Sequence, residues 1–93
     1  MLFLCNVTIP SLEKAKPFLP GHGEFLKQSY ESGVLKTYGP YLPLGTGGFA
    51  IFEAASQKEI DEILACDPLT QNQACYNEIH EITVTALSAD LLK

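Results

Sequence analysis

The chain contains no arginine and no tryptophan, and its six lysines face eleven acidic residues. The resulting net charge of −5 leaves no basic face for phosphate backbones or anionic membranes, so neither nucleic acid nor membrane is an expected partner. The missing guanidinium also removes the planar fork that grips a carboxylate with two parallel hydrogen bonds. Long apolar runs are absent too. The start, Met1 to Ile9, has no basic flank and is broken by Asn6 and Thr8, so no signal peptide or membrane span is expected there. The Asn6-Val7-Thr8 triplet falls inside a predicted strand, where a glycosylation acceptor has no use. Cysteine is sparse: Cys5, Cys66 and Cys75 form no CxxC and cannot all pair. Each lies in an apolar stretch, which predicts buried thiols and a reducing, cytoplasmic setting.

What remains is globular, with 46% hydrophobic and 18% charged residues over 93 positions. That length makes one domain, 1–93, with no room for a second, and a core small enough to profit from a partner chain. Met1–Ile9 places Phe3, Cys5, Val7 and Ile9 on one side and Leu2, Leu4, Asn6 and Thr8 on the other. Apolar residues on both sides predict a strand covered on both faces. Pro10 ends it, and Pro17 with Pro20 limits Ser11–Pro20 to a connection or a short helical turn. From Gly21 the pattern turns helical through Phe25, Leu26 and Tyr30, and Gly33 supplies the stop.

Val34–Tyr38 is predicted as a second strand closed by Gly39-Pro40, then a glycine-rich hairpin over 41–48 and a third strand over Phe49–Ala54. Ser56-Gln57-Lys58-Glu59 has capping-box spacing and opens a helix burying Ile60, Ile63 and Leu64, which must break near Asp67-Pro68. A short helix over Leu69–Tyr76, a last strand over Glu78–Leu87 and an apolar tail, Leu91-Leu92-Lys93, complete the chain. The order is the split βαβ of α+β, ferredoxin-like folds: βαββαβ, a four-stranded antiparallel sheet with both long helices on one face. The two-sided apolar strands then call for a homodimer stacking sheet on sheet, at a spacing of about 10 Å.

Chemistry is concentrated in few residues. His22 and the distant Asp67 form a minimal pair for moving protons near neutral pH, should the fold bring them together. Asp67 before Pro68 is equally a good N-cap for the short helix, with no catalysis implied. His80 shares a strand face with Glu78 and Ile82, which suits a core or dimer-interface histidine. Cys66, Cys75 and His80 match no compact zinc spacing, so no metal is expected. Gly45-Thr46-Gly47-Gly48 follows no strand-to-helix turn and lacks Gly-Lys-Ser/Thr, which argues for a bend and an open pocket mouth over nucleotide binding.

A histidine opening the first helix, a glycine ending it, Gly-Pro after the second strand, a glycine-bearing hairpin and an Asp-Pro after the second long helix recur here. They are His22, Gly33, Gly39-Pro40, Gly45 to Gly48 and Asp67-Pro68. In this order they resemble the YciI-like, YCII-related family of dimeric α+β barrel proteins, over nearly the whole chain. The resemblance implies a pocket in each protomer where the histidine and aspartate lie close together. It also implies a wider superfamily of isomerases, lyases and monooxygenases acting on small, often aromatic molecules. One departure stands out: the family often has an arginine three residues before the histidine, where this chain has Leu19. The combined expectation is a cytoplasmic lyase or isomerase for a small organic molecule, needing no cofactor. His22 and Asp67 would be catalytic, with Phe25, Tyr38, Gly39 and Pro40 shaping the pocket. The alternative is a ligand-binding or dimerisation module of the same fold without the reaction.

Overall fold

Alternation at the chain start produces the central strand of the sheet. In the computed structural model, which describes residues 1–92, β1 (Leu2–Thr8) is paired antiparallel on both sides, with β3 (Gly47–Glu53) and β4 (Tyr76–Ile82). The edge strand β2 (Leu35–Pro40) pairs with β3, giving the order β2-β3-β1-β4. This is the expected four-stranded antiparallel α+β sheet. Phe3 and Cys5 of β1, Ala50 and Phe52 of β3 and Leu35 of β2 all face the helices and are buried. There they meet Ile60 and Leu64 of α3 (Gln57–Leu64) and the partly buried Phe25 and Leu26 of α2 (Leu19–Glu31). Each fully buried Phe, Leu or Ile contributes roughly 1.5–3 kcal/mol relative to exposure.

The reverse face of the sheet is apolar but uncovered by helix. Leu2, Leu4, Phe49, Ile51 and Ile82 lie there at intermediate exposure, beside the exposed Tyr76, Glu78 and His80. Tyr41 folds back over this side, its ring 6.3 Å from that of Phe49 and its hydroxyl donating to Asn6 Oδ1.

Several boundaries differ from the sequence expectation, each for a local reason. The Ser11–Pro20 segment forms α1 (Leu12–Ala15) and a 3-10 turn over Lys16–Phe18, after which α2 begins at Leu19, before the expected Gly21. Pro20 sits in the first turn of α2, where its absent N–H leaves no bond unmade, so it starts a helix instead of breaking one. Gly39-Pro40 belongs to β2 itself: an edge strand tolerates a proline that cannot donate to the ladder. The third strand begins at Gly47 and not at Phe49. The last strand spans Tyr76–Ile82 and stops far short of Leu87, because Ile82 already faces Leu2, the first paired residue of β1. The short helix α4 is Pro68–Gln71 and stops short of Tyr76; Ala74 N–H closes the turn onto Leu69 O at 2.8 Å. In the tail, Leu91 and Leu92 are exposed; Lys93 lies outside the described residues.

One helix start and one helix end that the sequence marks form as expected. Ser56 Oγ accepts from Glu59 N–H at 3.1 Å, and Gly33 ends α2 with φ at +87°. The thiols behave less uniformly than expected. Cys5 is buried, but Cys75 is half-buried and Cys66 is exposed, because Cys66 falls in the turn between α3 and α4, where its Sγ reaches only Glu62 O.

Gly47 shows why the hairpin is glycine-rich. Its φ is +138°, and a Cβ there would lie 1.9 Å from the carbonyl oxygen of Val7. A Cβ on Gly48 would lie 2.5 Å from Gly39 O, so the close approach of neighbouring strands demands these glycines. Gly47→Ala is therefore expected to cost at least about 2 kcal/mol in urea unfolding, with an unchanged slope. A loss near zero would mean that β1 and β3 separate here at no cost.

Candidate active site

Two helix starts meet at one corner of the molecule. The first turn of α2 carries Gly21 and His22; the start of α4 carries Asp67 and Pro68. The approach is tight: a Cβ on Gly21 would lie 2.9 Å from Pro68 Cγ. A side chain at position 21 would push the two helix ends apart, so the glycine next to His22 is a condition of the pairing.

Asp67 precedes a proline, which favours extended backbone, and it takes φ −77° and ψ 125° as the N-cap of α4. Its Oδ1 accepts from Leu69 N–H at 3.0 Å. Both carboxylate oxygens also lie 2.9 Å from His22 Nδ1. The carboxylate is only 2% exposed, a burial that a charge tolerates when it accepts several hydrogen bonds. Asp67 thus caps α4 and contacts His22 at once. A carboxylate on Nδ1 assigns the proton to that nitrogen and leaves Nε2 with the free lone pair. The ring itself is mostly buried, its side chain 18% exposed.

His22 borders a cavity of about 290 Å³ between α2 and the helix-facing side of the sheet. Tyr38, Gly39 and Pro40 line it. Phe25 does not. It turns into the core, its ring 6.4 Å from that of Phe52, and Leu26 takes its place in the lining. Both lie on the His22 face of α2, at three and four residues, but Phe25 is the one that packs on Phe52 of β3. Sequence reasoning also passed over Val7, Ile9 and Ala50, which complete the apolar walls with Leu19. The alternation that put Val7 and Ile9 on the side of Phe3 was the available signal. Gly45, Gly47 and Gly48 border the cavity, though strand approach already requires two of them.

The other candidate groups lie elsewhere. His80 is exposed on the reverse face and not in the core, bonded through Nε2 to Glu78 Oε1 at 2.8 Å. Hydrogen bonds from His80 and Asn6 hold the Glu78 carboxyl below its ordinary range. Among the described residues, no three His, Cys, Asp or Glu side chains gather as a metal site would need. Burial pushes the Cys5 thiol up to about 12, with Cys75 and Asp67 nearby adding to the effect, so it stays protonated and unreactive. Burial also raises Cys75, and Asp67 adds to it, against a lowering hydrogen bond with Thr70.

The model of the YCII-related domain matches residues 1–84. Two solved structures share the fold. One is 5-chloro-2-hydroxyhydroquinone dehydrochlorinase from Burkholderia phenoliruptrix AC1100, in complex with 2,5-dihydroxybenzoquinone, with a TM-score of 0.75 and 24% identity over 89% of this chain and 94% of that one. The other is muconolactone isomerase, with a TM-score of 0.74 and 15% identity over 97% of this chain and 98% of that one. A comparison with curated protein sequences finds no match. Among the described residues, no helix is long and apolar enough to cross a membrane.

Asp67→Asn separates the two duties of Asp67. Asparagine caps a helix as well as aspartate, so stability should change by less than about 1 kcal/mol. With Oδ1 kept on Leu69 N–H, the amide NH₂ turns toward His22 Nδ1. The imidazole proton is then expected to move from Nδ1 to Nε2, read from ¹⁵N chemical shifts of the ring. An unchanged tautomer would show that the carboxylate does not set the state of the ring.

Proposed function

The chain belongs to the YCII-related domain family, and from that premise we propose that it is an enzyme moving a proton on a small organic molecule. His22 is its general acid and base, and Asp67 is the group that orients it. One observation carries the reading: Asp67, capping α4, contacts His22 Nδ1 with both oxygens, and His22 borders the cavity. A ring held this way needs no reorientation as it accepts a proton, and the carboxylate stabilises the imidazolium that forms. Abstraction next to a carbonyl, followed by return of the proton elsewhere or loss of a leaving group, gives an isomerase or a lyase. The dehydrochlorinase and the isomerase that share the fold support those two outcomes. These steps use only the side chains named here.

A second reading is favoured by the bond between Asp67 Oδ1 and Leu69 N–H, which gives the carboxylate a structural purpose of its own. In that reading the cavity binds a ligand without transforming it. Solvent-deuterium uptake, followed by NMR across a panel of small hydroxyketones, lactones and quinols, distinguishes the two. The enzyme reading expects uptake into at least one compound, slowed by roughly 10²- to 10⁴-fold in His22→Gln. Uptake at the buffer rate throughout, or unaffected by His22→Gln, would leave the binding module.

The same proposal includes a homodimer formed through the reverse face of the sheet. Leu4, Phe49, Ile51 and Ile82 present an apolar surface there that a second sheet would cover. The three free thiols suit a reducing cytoplasm. Light scattering at micromolar concentration is expected to give twice the chain mass, and Ile51→Lys to give the single mass. A wild-type monomer would remove the dimer.

A further inference from the structure

The walls of the cavity contain no lysine, aspartate or glutamate; His22 and the Tyr38 hydroxyl are its only titratable groups among the described residues. Directly behind the imidazole, the Asp67 carboxylate holds a negative charge that is 2% exposed and 2.9 Å from Nδ1. The chain as a whole adds a net charge of −5 with no arginine to offset it locally. An anion entering this space would lose its water, find no lysine or arginine in the walls, and meet a buried carboxylate across one ring.

We infer that the pocket takes a compact uncharged molecule, one ring or a chain of equal bulk bearing carbonyl or hydroxyl groups, and rejects carboxylates, sulfonates and phosphates. The size follows from the cavity, whose volume of about 290 Å³ suits a single ring with small substituents. The polar groups follow from what can meet them: His22 and Tyr38, set in a wall otherwise built from Val7, Leu19 and Leu26. Leu19 is the specificity-determining residue. It lines the cavity from the same helical turn as His22, so a positive charge there would stand beside the ligand. This inference rests on the cavity being the substrate site, as proposed above, but not on any reaction occurring in it.

Benzamide and benzoate, matched in shape and differing in charge, provide the test. The full chain is titrated with each while the methyl NMR signals of Leu19 and Leu26 are followed. Benzamide is expected to move both and to bind at least about tenfold more tightly than benzoate. Leu19→Lys is expected to narrow or invert that ratio. If Leu19→Lys does not fold, Tyr38→Lys, on an exposed position of the edge strand, is expected to do the same. Benzoate binding as tightly as benzamide, or neither compound moving the two methyls at millimolar concentration, would overturn the inference. If benzamide is preferred but no compound in the exchange panel takes up deuterium, the acid–base reading falls and the charge selection stands.

Discussion

The meeting of the α2 and α4 starts is the contact on which the site depends. It needs a residue without a side chain at Gly21, because Pro68 occupies the space a Cβ would take. It needs an extended residue before Pro68, which positions Asp67 to cap α4. With both conditions met, His22 and Asp67 face each other with no further adjustment. The buried carboxylate is satisfied from two directions, by a backbone N–H and by an imidazole. Removing either partner would leave a charge in an apolar corner with half its hydrogen bonds.

The β-sheet was legible in the sequence because alternation is a local property. The two sides of β1 could be read from Phe3, Cys5 and Val7 against Leu2, Leu4 and Asn6, and the strand order follows from the element order. Boundaries were less legible because tertiary partners set them. β4 ends where β1 runs out, and Gly39-Pro40 joins a strand only because that strand lies at an edge. His22 and Asp67 could be singled out by residue type, but their contact depends on Gly21, whose importance lies in its distance to Pro68. Phe25 was misplaced because apolar spacing alone does not say which side of a helix faces a cavity and which faces a core.

The site joins two environments that seldom occur together. One is a buried, fully bonded carboxylate; the other is an apolar cavity with no countercharge in its walls. The imidazole is the partition between them. A polar group bound in the cavity would be answered mainly through this one ring, because the other walls offer little more than hydrocarbon and the peptide groups of glycines. Rigidity is built in from outside: strands at Gly47 and Gly48 pack too closely to shift, and the ring is pinned through Nδ1.

Pro40 carries a consequence of a different kind. It closes the outermost strand on one margin of the sheet, where a donor N–H is missing from the row that another chain could copy. The opposite margin, β4, has no proline and instead places Glu78, His80 and Glu81 in sequence, with Glu81 on the same side as Phe3. One border is made a poor template by geometry and the other by charge. The molecule can thus offer a broad greasy face to a partner without inviting endless edge-by-edge growth into fibres.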